Sequence, residues 1–140
     1  MHKLYISKKN TKELLNDVLK ENKIDSKIIY NEYGKPYLEN NEIYFNLSNS
    51  KEYSVCVVSD KEIGVDIQYI TYRSRVVNSV YNEKEKTKDS LEFTKIWVLK
   101  EAYVKKIGMG LAYGLKNVDT TKLKDYELIE FDNYVIGIVY

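Results

Sequence analysis

The sequence is poor in residues on which several kinds of active site depend. It has one histidine, His2, one cysteine, Cys56, and one proline. Because the one histidine lies at the chain end, histidine-dependent triads are effectively excluded, and zinc sites need more histidine and cysteine ligands than the chain has. Cys56 lies in an apolar, strand-like run, where we expect a buried, reduced thiol. Carboxylates, lysines, hydroxyls and a hard cation remain as the available chemistry.

The chain also lacks a charge excess and a long apolar run. Its 22 basic and 21 acidic residues leave a net charge of +1, so no overall field attracts nucleic acid or membrane. The 14 tyrosines are scattered rather than interleaved with a basic stripe, which argues against stacking on nucleic acid. No apolar run approaches the roughly 20 residues of a membrane span, and no secretory signal is recognisable. We expect a soluble, cytoplasmic monomer of one domain, residues 1–140.

Hydrophobic periodicity predicts a mixture of helices and strands. The predicted helices cover residues 11–22, 74–80 and 91–107. The predicted strands cover residues 27–30, 43–47, 54–59, 62–68, 117–118, 126–131 and 134–139. We expect the strands at 54–59 and 62–68 to form a hairpin, followed by a polar connector over residues 69–90. Asn49 and Glu52 have capping-box spacing, which predicts a short helix that starts near Ser48.

Two glycine patterns recur along the chain and indicate an internal repeat. Gly34 and Gly108 are 74 positions apart, and Gly64 and Gly137 are 73 positions apart. We therefore expect an α+β fold of two similar α/β halves, about residues 1–70 and 71–140, in a pseudo-twofold arrangement. Each half would contain an antiparallel sheet and a long helix. A site in the cleft between the halves would combine residues from both.

The stretch over residues 93–110 carries two charged residues within a strongly apolar helical pattern. Glu101 and Lys105 are four residues apart, so they share one face of the helix, with Trp97 a turn below. An ordinary solvated Glu–Lys pair is the simplest interpretation. The apolar residues around the pair leave little helix surface for solvent, however, and a partly buried carboxylate needs a cation or a metal.

The predicted strand at 62–68 places polar groups on one side. Apolar residues at 63, 65 and 67 alternate with Gly64, Asp66 and Gln68. The Asp66 and Gln68 side chains would project from the same face about 7 Å apart, and Gly64 would leave room for a bulky group. An edge strand with a wet face would give the same pattern. Combined with Glu101, the strand looks like half of an oxygen-ligand site for Mg²⁺.

Four sequence blocks in this order carry a family resemblance. They are YGKPYL at 33–38, FNLSNS at 45–50, IGVDI at 63–67 and FTKIWVLKEAYVKKIGMGL at 93–111. Together they resemble the signature blocks of the 4′-phosphopantetheinyl transferases, and most closely the monomeric Sfp type. The resemblance implies the fold of that family. It also implies transfer of the phosphopantetheine arm of coenzyme A to a serine of an acyl or peptidyl carrier protein, as in a holo-[acyl-carrier-protein] synthase.

The resemblance assigns roles to individual residues. Glu101 and Lys105 would be catalytic, with Glu101 or a water that it orients accepting the serine proton. Asp66 and Glu101 would hold Mg²⁺, and Gln68 would be a weaker ligand or act through water. Lys35, Ser48, Asn49 and Lys105 would bind coenzyme A. For Lys35 a solvated turn lysine is an equally open interpretation, as is a plain helix cap for Ser48. Separately from the resemblance, the connector holds the two arginines of the chain, Arg73 and Arg75, beside apolar residues. This basic and apolar patch would contact an acidic carrier protein, and a solvated loop is an equally open interpretation.

Two departures from the family pattern leave a second hypothesis open. Asn49 stands where the family block usually has histidine, and Gln68 stands where glutamate is frequent. The chain is also shorter than most members of the family. The alternative is a non-catalytic module that binds coenzyme A or a carrier protein and retains the fold. The trio of Asp66, Glu101 and Lys105 argues against it, because the fold alone does not need these three residues.

Overall fold

A computed structural model of the chain describes residues 1–40, 43–82 and 85–140, with Leu111 described by its backbone alone. The described part contains eight strands and three α-helices. In chain order they are β1 (His2–Ser7), α1 (Thr11–Glu21), β2 (Ile28–Tyr30), β3 (Pro36–Leu38), β4 (Tyr44–Ser50), β5 (Tyr53–Ser59), β6 (Gly64–Tyr69), α2 (Val77–Val80), α3 (Ser90–Ile107), β7 (Tyr126–Phe131) and β8 (Tyr134–Val139). The prediction of an α+β fold with antiparallel sheets is confirmed.

Two three-stranded antiparallel sheets form the body of the fold, with strand orders β1-β5-β4 and β6-β8-β7. Helix α1 covers the first sheet and α3 covers the second. The two sheets are built in a similar order along the chain. In the first sheet the outer strand β1 precedes α1, and the outer strand β4 and the central strand β5 follow. In the second sheet the outer strand β6 precedes α3, and the outer strand β7 and the central strand β8 follow. The symmetry that would relate the two sheets stays a prediction. Strand β6, which carries Asp66 and lies in the predicted N-terminal half, pairs with the C-terminal strand β8.

Side chains of β4 join the two sheets along the edge of β6. The Asn46 Oδ1 atom accepts a hydrogen bond from the Val65 N–H at 2.9 Å. The hydroxyls of Ser48 and Ser50 accept from the next two alternate N–H groups of β6, at 3.3 and 3.0 Å. These bonds satisfy backbone donors that an edge strand leaves unpaired. The polar alternation in β4 therefore fixes β6, and with it Asp66, against the first sheet.

Helix α3 packs on β6 and β8 through two glycines. A Cβ atom at Gly64 would lie 1.8 Å from the Ala102 carbonyl oxygen, and one at Gly137 would lie 2.9 Å from a Val98 methyl group. The expectation that Gly64 leaves room for a bulky ligand is therefore wrong, because the helix backbone fills that space. Strand β6 is buried on both faces from Gly64 to Ile67, so the wet-edge interpretation is wrong as well.

The two long helices agree with their predictions to within one residue at each end. Local signals explain this agreement, since Asn10 and Asp89 cap the helix starts and Gly108 ends α3 at a φ of 73°. The middle predicted helix is shorter than expected and covers only Val77–Val80. Within the described residues, no helix is long and apolar enough to span a membrane.

Three other local predictions are wrong. The predicted hairpin of β5 and β6 does not form, because β5 pairs with β1 and β4 while β6 pairs with β8. The expected short helix near Ser48 is part of β4. The strand expected at 117–118 is a 3-10 turn, Leu115–Asn117.

Candidate active site

Helix α3 brings Lys105 to the junction of the two sheets. Its ammonium group lies 3.2 Å from the Asp66 Oδ1 atom and donates to the carbonyl oxygens of Leu47 at 3.2 Å and Val65 at 3.1 Å. The three oxygens come from β4 and β6, so the contacts join α3 to both sheets. The Lys105 side chain is still 29% exposed, so part of it remains accessible from outside the protein.

Asp66 presents one satisfied oxygen and one free oxygen. Its Oδ1 atom accepts a hydrogen bond from the Ser48 hydroxyl at 2.8 Å in addition to the contact with Lys105. Its Oδ2 atom is buried and has no hydrogen-bond partner in the described part of the chain. Leaving a buried carboxylate oxygen unpaired is costly, so this atom is suited to an additional cation.

The charges around Asp66 and Glu101 fit a site that needs positive charge. Burial raises the pKa of Asp66, and the nearby Lys105 ammonium and Ser48 hydroxyl only partly oppose this effect. Burial, and then the charge of Asp66, raise the pKa of Glu101, while Lys105 and Arg73 lower it to a smaller extent. A buried carboxylate whose pKa is raised by burial and by a neighbouring carboxylate is stabilised when a cation lies close to both groups. The unpaired Asp66 oxygen together with Glu101 therefore fits a hard divalent ion.

The donor set is small, as Mg²⁺ sites commonly are. Across residues 1–40, 43–82 and 85–140, no group of three or more histidine, cysteine, aspartate or glutamate side chains is placed to hold a metal. A pair of carboxylates that shares Mg²⁺ with water and phosphate oxygens does not need a third. Gln68 follows Asp66 on the same face of β6 and is half-buried. Its role as a ligand stays a prediction.

Two cavities flank Lys105. One has a volume of about 250 Å³ and is lined by the 33–36 turn, the Asn46–Leu47 segment of β4, Lys105 and two glycines after α3. The other has a volume of about 220 Å³, and its lining includes Glu101, Lys105 and Leu115. Lys105 and Gly110 belong to both linings. A ligand that occupied both cavities would contact the Lys105 side chain.

Lys35 is buried beside the first cavity, so it is not a solvated turn lysine. Its ammonium lies 3.1 Å from a Glu62 carboxylate oxygen and donates to the Lys106 carbonyl oxygen at 2.9 Å. Burial lowers the pKa of Lys35, and Glu62 opposes this effect. The Asn31 amide donates to the Gly108 carbonyl oxygen at 2.8 Å. Lys35 and Asn31 therefore satisfy carbonyl groups at the end of α3 and hold the 31–36 turn against it.

The FNLSNS block serves the site differently from the expectation. Ser48 lies in a strand rather than at a helix start, and its hydroxyl donates to Asp66. Asn49 is on the opposite face of β4 and is exposed. The sequence analysis missed the link from Ser48 to Asp66. The alternation of Asn46, Ser48 and Ser50 was the signal that could have revealed it.

The two arginines differ in their relation to the site. The Arg73 guanidinium lies 5.0 Å from the centre of the Trp97 ring, which is a cation–π arrangement. Trp97 is on α3, the helix that also carries Glu101. Its charge also lowers the pKa of Glu101. Arg75 is exposed. The structure therefore places Arg73 at the rim of the site and leaves Arg75 farther along the connector.

Comparisons with known proteins agree with this geometry. Residues 62–136, more than half of the chain, match the 4′-phosphopantetheinyl transferase superfamily. The chain therefore belongs to this superfamily, as the sequence blocks suggested. The match begins at Glu62 and covers Asp66, Glu101 and Lys105.

Curated relatives carry the same family name. The chain is 36% identical over 90 residues to the 4′-phosphopantetheinyl transferase gsp of Aneurinibacillus migulanus, covering 58% of this chain and 38% of that protein. It is 32% identical over 104 residues to a 4′-phosphopantetheinyl transferase of Bacillus subtilis, covering 67% and 46%. It is 28% identical over 103 residues to Sfp of Bacillus subtilis strain 168, covering 66% and 46%. The aligned region spans less than half the length of these relatives.

Proposed function

We propose that this protein is a Mg²⁺-dependent 4′-phosphopantetheinyl transferase that uses coenzyme A and modifies a serine of an acyl or peptidyl carrier protein. The serine oxygen would form a bond to the phosphorus that carries the pantetheine arm. The bond from this phosphorus to the bridging oxygen of the pyrophosphate would break, and adenosine 3′,5′-bisphosphate would leave. We further propose that the protein acts as a cytoplasmic monomer.

The observation that carries this proposal is the unpaired Oδ2 atom of Asp66 near a second carboxylate and an ammonium group. A fold does not gain stability from a buried carboxylate oxygen without a partner. The same arrangement has a clear use if a cation and a phosphate group complete it. Family membership gives that use a specific reaction.

Asp66 and Glu101 would hold Mg²⁺, with Gln68 as an additional ligand directly or through water. The ion would neutralise charge on the pyrophosphate oxygens. Ser48 keeps the Oδ1 atom of Asp66 engaged, which leaves Oδ2 to face the ligand. The raised pKa of Glu101 suits a group that accepts a proton from the serine, directly or through a water that it orients.

Lys105 would stabilise the charge that develops on the phosphate during transfer. Its position between the two cavities allows one ammonium group to contact a ligand that spans both. We place the nucleotide part of coenzyme A in the cavity lined by the 33–36 turn, beside Lys35, while the coenzyme A role of Asn49 rests on the family resemblance alone. The hydroxyl of Ser48 would act there indirectly, through Asp66.

The carrier protein would dock on the connector. Arg73 lies beside Trp97 and close enough to influence Glu101, so a partner that contacts Arg73 would bring its serine to the metal site. Arg75 would add a second positive charge for an acidic partner. Apolar residues of the connector pack against Phe93 and Trp97 and give this surface a defined shape.

The test is mass spectrometry of an apo carrier protein after incubation with the protein, coenzyme A and Mg²⁺. A mass gain equal to the phosphopantetheine arm, abolished by a metal chelator, is the expected result. No mass gain with any of a fatty-acid, a polyketide and a peptide carrier would contradict the proposal.

One observation favours the second candidate, a non-catalytic binding module. The Lys105 ammonium already has three oxygen partners within the protein, as a purely structural lysine would have. A binding module would retain affinity for coenzyme A or a carrier but would transfer nothing. The same mass measurement, combined with a coenzyme A binding assay, separates the two candidates.

A further inference from the structure

A second lysine of α3, Lys100, is more deeply buried than Lys105 and has no place in the proposed reaction. Its side chain is 0% exposed. Its ammonium lies 2.6 Å from a Glu85 carboxylate oxygen and donates to the carbonyl oxygens of Val80 at 2.6 Å and Leu115 at 3.1 Å. All three of its N–H donors can be used by these partners.

The carboxylate partner is equally well satisfied. Glu85 accepts from the Asn82 N–H at 3.1 Å through Oε1, while its Oε2 atom accepts from both the N–H and the hydroxyl of Thr120. Burial opposes ionisation of Glu85, but hydrogen bonds from Lys100 and Thr120 outweigh it and keep its pKa below the ordinary value. Neither carboxylate oxygen is left for a ligand. Glu85, Lys100 and Thr120 are called the clasp below.

A buried ion pair is an inefficient way to stabilise a fold, because apolar residues of similar size often do as well. A buried ion pair does, however, fix the relative position of the chain segments that carry and surround the two charges. The clasp joins the far end of the connector, through Val80 and Glu85, to the middle of α3 and to the loop that contains Thr120. The start of the connector is held separately, where Thr71 and Thr94 exchange hydrogen bonds.

The clasp and the catalytic cleft use adjacent residues of one helix. The Lys100 and Glu101 side chains project about 100° apart around α3. Lys100 therefore contacts the connector, whereas Glu101 faces the cleft. Between the two attachments, the rings of Tyr72 and Tyr81 pack against Phe93. The connector, including Arg73, is therefore attached to the same helix that carries Glu101.

We propose that Lys100 and Glu85 are positioning residues that hold the connector as a preformed docking surface for the carrier protein. This inference rests on the proposed function for the identity of the partner. The clasp itself is a property of the fold. Without it, the connector would remain attached at Thr71 but would lose its fixed far end, and the arginines would no longer be held in one place relative to Glu101.

The first test measures the order of the connector by proteolysis. Arg73 and Arg75 are the only arginines of the chain, so an arginine-specific protease cuts only in the connector. The double variant Lys100→Met with Glu85→Gln removes both charges and keeps side chains of similar size. We expect native-state cleavage to become at least about tenfold faster, since cleavage follows the population of the opened state. Lys95→Met, which removes a partly exposed lysine of α3, is the matched control and should leave cleavage unchanged.

The second test separates positioning from general destabilisation. In the double variant, KM for the carrier protein should rise about tenfold, while kcat and KM for coenzyme A stay within about twofold. Thr120→Val keeps both charges and removes one donor to Glu85, so it should give a smaller change in the same direction if the double variant does not fold. A folded double variant, or Thr120→Val in its place, that shows unchanged cleavage would overturn the proposal. So would equal rises in both KM values.

The two tests also distinguish failure of this inference from failure of the proposed function. The protease assay needs no activity, so it decides whether the clasp orders the connector even if the protein transfers nothing. If transfer is observed and cleavage accelerates but KM for the carrier does not change, the connector is not the docking surface and the positioning proposal is wrong.

Discussion

Lys100 and Lys105 lie on the same helix, and each has three oxygen partners, yet the carboxylates that they contact differ. Both oxygens of Glu85 are satisfied. Asp66 keeps one buried oxygen without a partner among the described residues, and its pKa is raised, whereas the pKa of Glu85 is lowered. The comparison teaches that a structural ion pair saturates its hydrogen bonds, whereas a binding site leaves one unmade for the ligand.

Removal of the Lys105 ammonium should have the largest effect on the proposed reaction in the cleft. Lys105→Ala should lower kcat/KM for transfer about ten- to a hundredfold, because a charge-assisted contact to phosphate contributes about 1.5–3 kcal/mol. The far-UV spectrum should stay native, since Asp66 can neutralise by taking up a proton. Steady-state kinetics with an apo carrier protein check this, with Lys95→Ala as the control on the same helix. Unchanged turnover would mean that Lys105, like Lys100, is structural.

Charge reversal at each arginine should distinguish residues that act only through the connector from residues that also act on the cleft. Arg75→Glu should raise KM for the carrier about tenfold without changing KM for coenzyme A, because it is exposed on the connector. Arg73→Glu should raise both constants, because its charge also acts on Glu101. Kinetics with each substrate varied in turn measure the difference. Identical behaviour of the two variants would show that the structure does not separate their roles.

The raised pKa values predict how the metal-free protein responds to pH. A carboxyl group whose pKa is higher in the folded state contributes stability below its unfolded pKa and loses it as the pH rises through the folded pKa. Asp66 and Glu101 therefore contribute less to the stability of the metal-free protein at neutral pH than at a pH below the ordinary carboxyl pKa.

Glu101→Gln should remove part of that loss and stabilise the metal-free protein at neutral pH by about 0.5–2 kcal/mol, the usual size of a single stabilising substitution. Urea unfolding with a chelator present measures this. Glu85→Gln is the opposite case and should destabilise, because the Glu85 pKa is lowered. Stabilisation by both substitutions would contradict the comparison.

Gln68→Glu should add charge beside the metal site and lower the half-saturating Mg²⁺ concentration about two- to fivefold, since a partly exposed charge contributes up to about 1 kcal/mol. The measurement is transfer rate against Mg²⁺ concentration at saturating coenzyme A. If the metal dependence does not change, the Gln68 side chain points away from the ion.

Parts of this architecture follow from local sequence and parts do not. Helices α1 and α3 have clear periodicity with Asn10, Asp89 and Gly108 at their ends, which is why their bounds were predictable. The partner of β6 was not predictable, because β8 lies about seventy residues further on and no local signal selects it over the adjacent β5. Asn49 and Glu52 mimic a helix start, but pairing of β4 with β5 outweighs that weak local preference.

The site shows the same division. Asp66, Glu101 and Lys105 were predictable as a group from spacing and resemblance, and the contact of Asp66 with Lys105 is observed. The clasp was not predicted, because the sequence does not distinguish Lys100 from the solvated lysines of the chain and Glu85 lies in a polar connector. Only tertiary packing makes both residues buried and pairs them.

The most direct test of the cleft as a metal and coenzyme site is calorimetric titration of coenzyme A with and without Mg²⁺. We predict that Mg²⁺ tightens coenzyme A binding at least about tenfold in the unmodified protein and has no effect in Asp66→Asn, because in the proposed site Asp66 would hold the ion against the phosphates. Glu85→Gln should retain the full Mg²⁺ effect. Equal Mg²⁺ effects in the unmodified protein and Asp66→Asn would contradict the account, as would the absence of any Mg²⁺ effect in the unmodified protein.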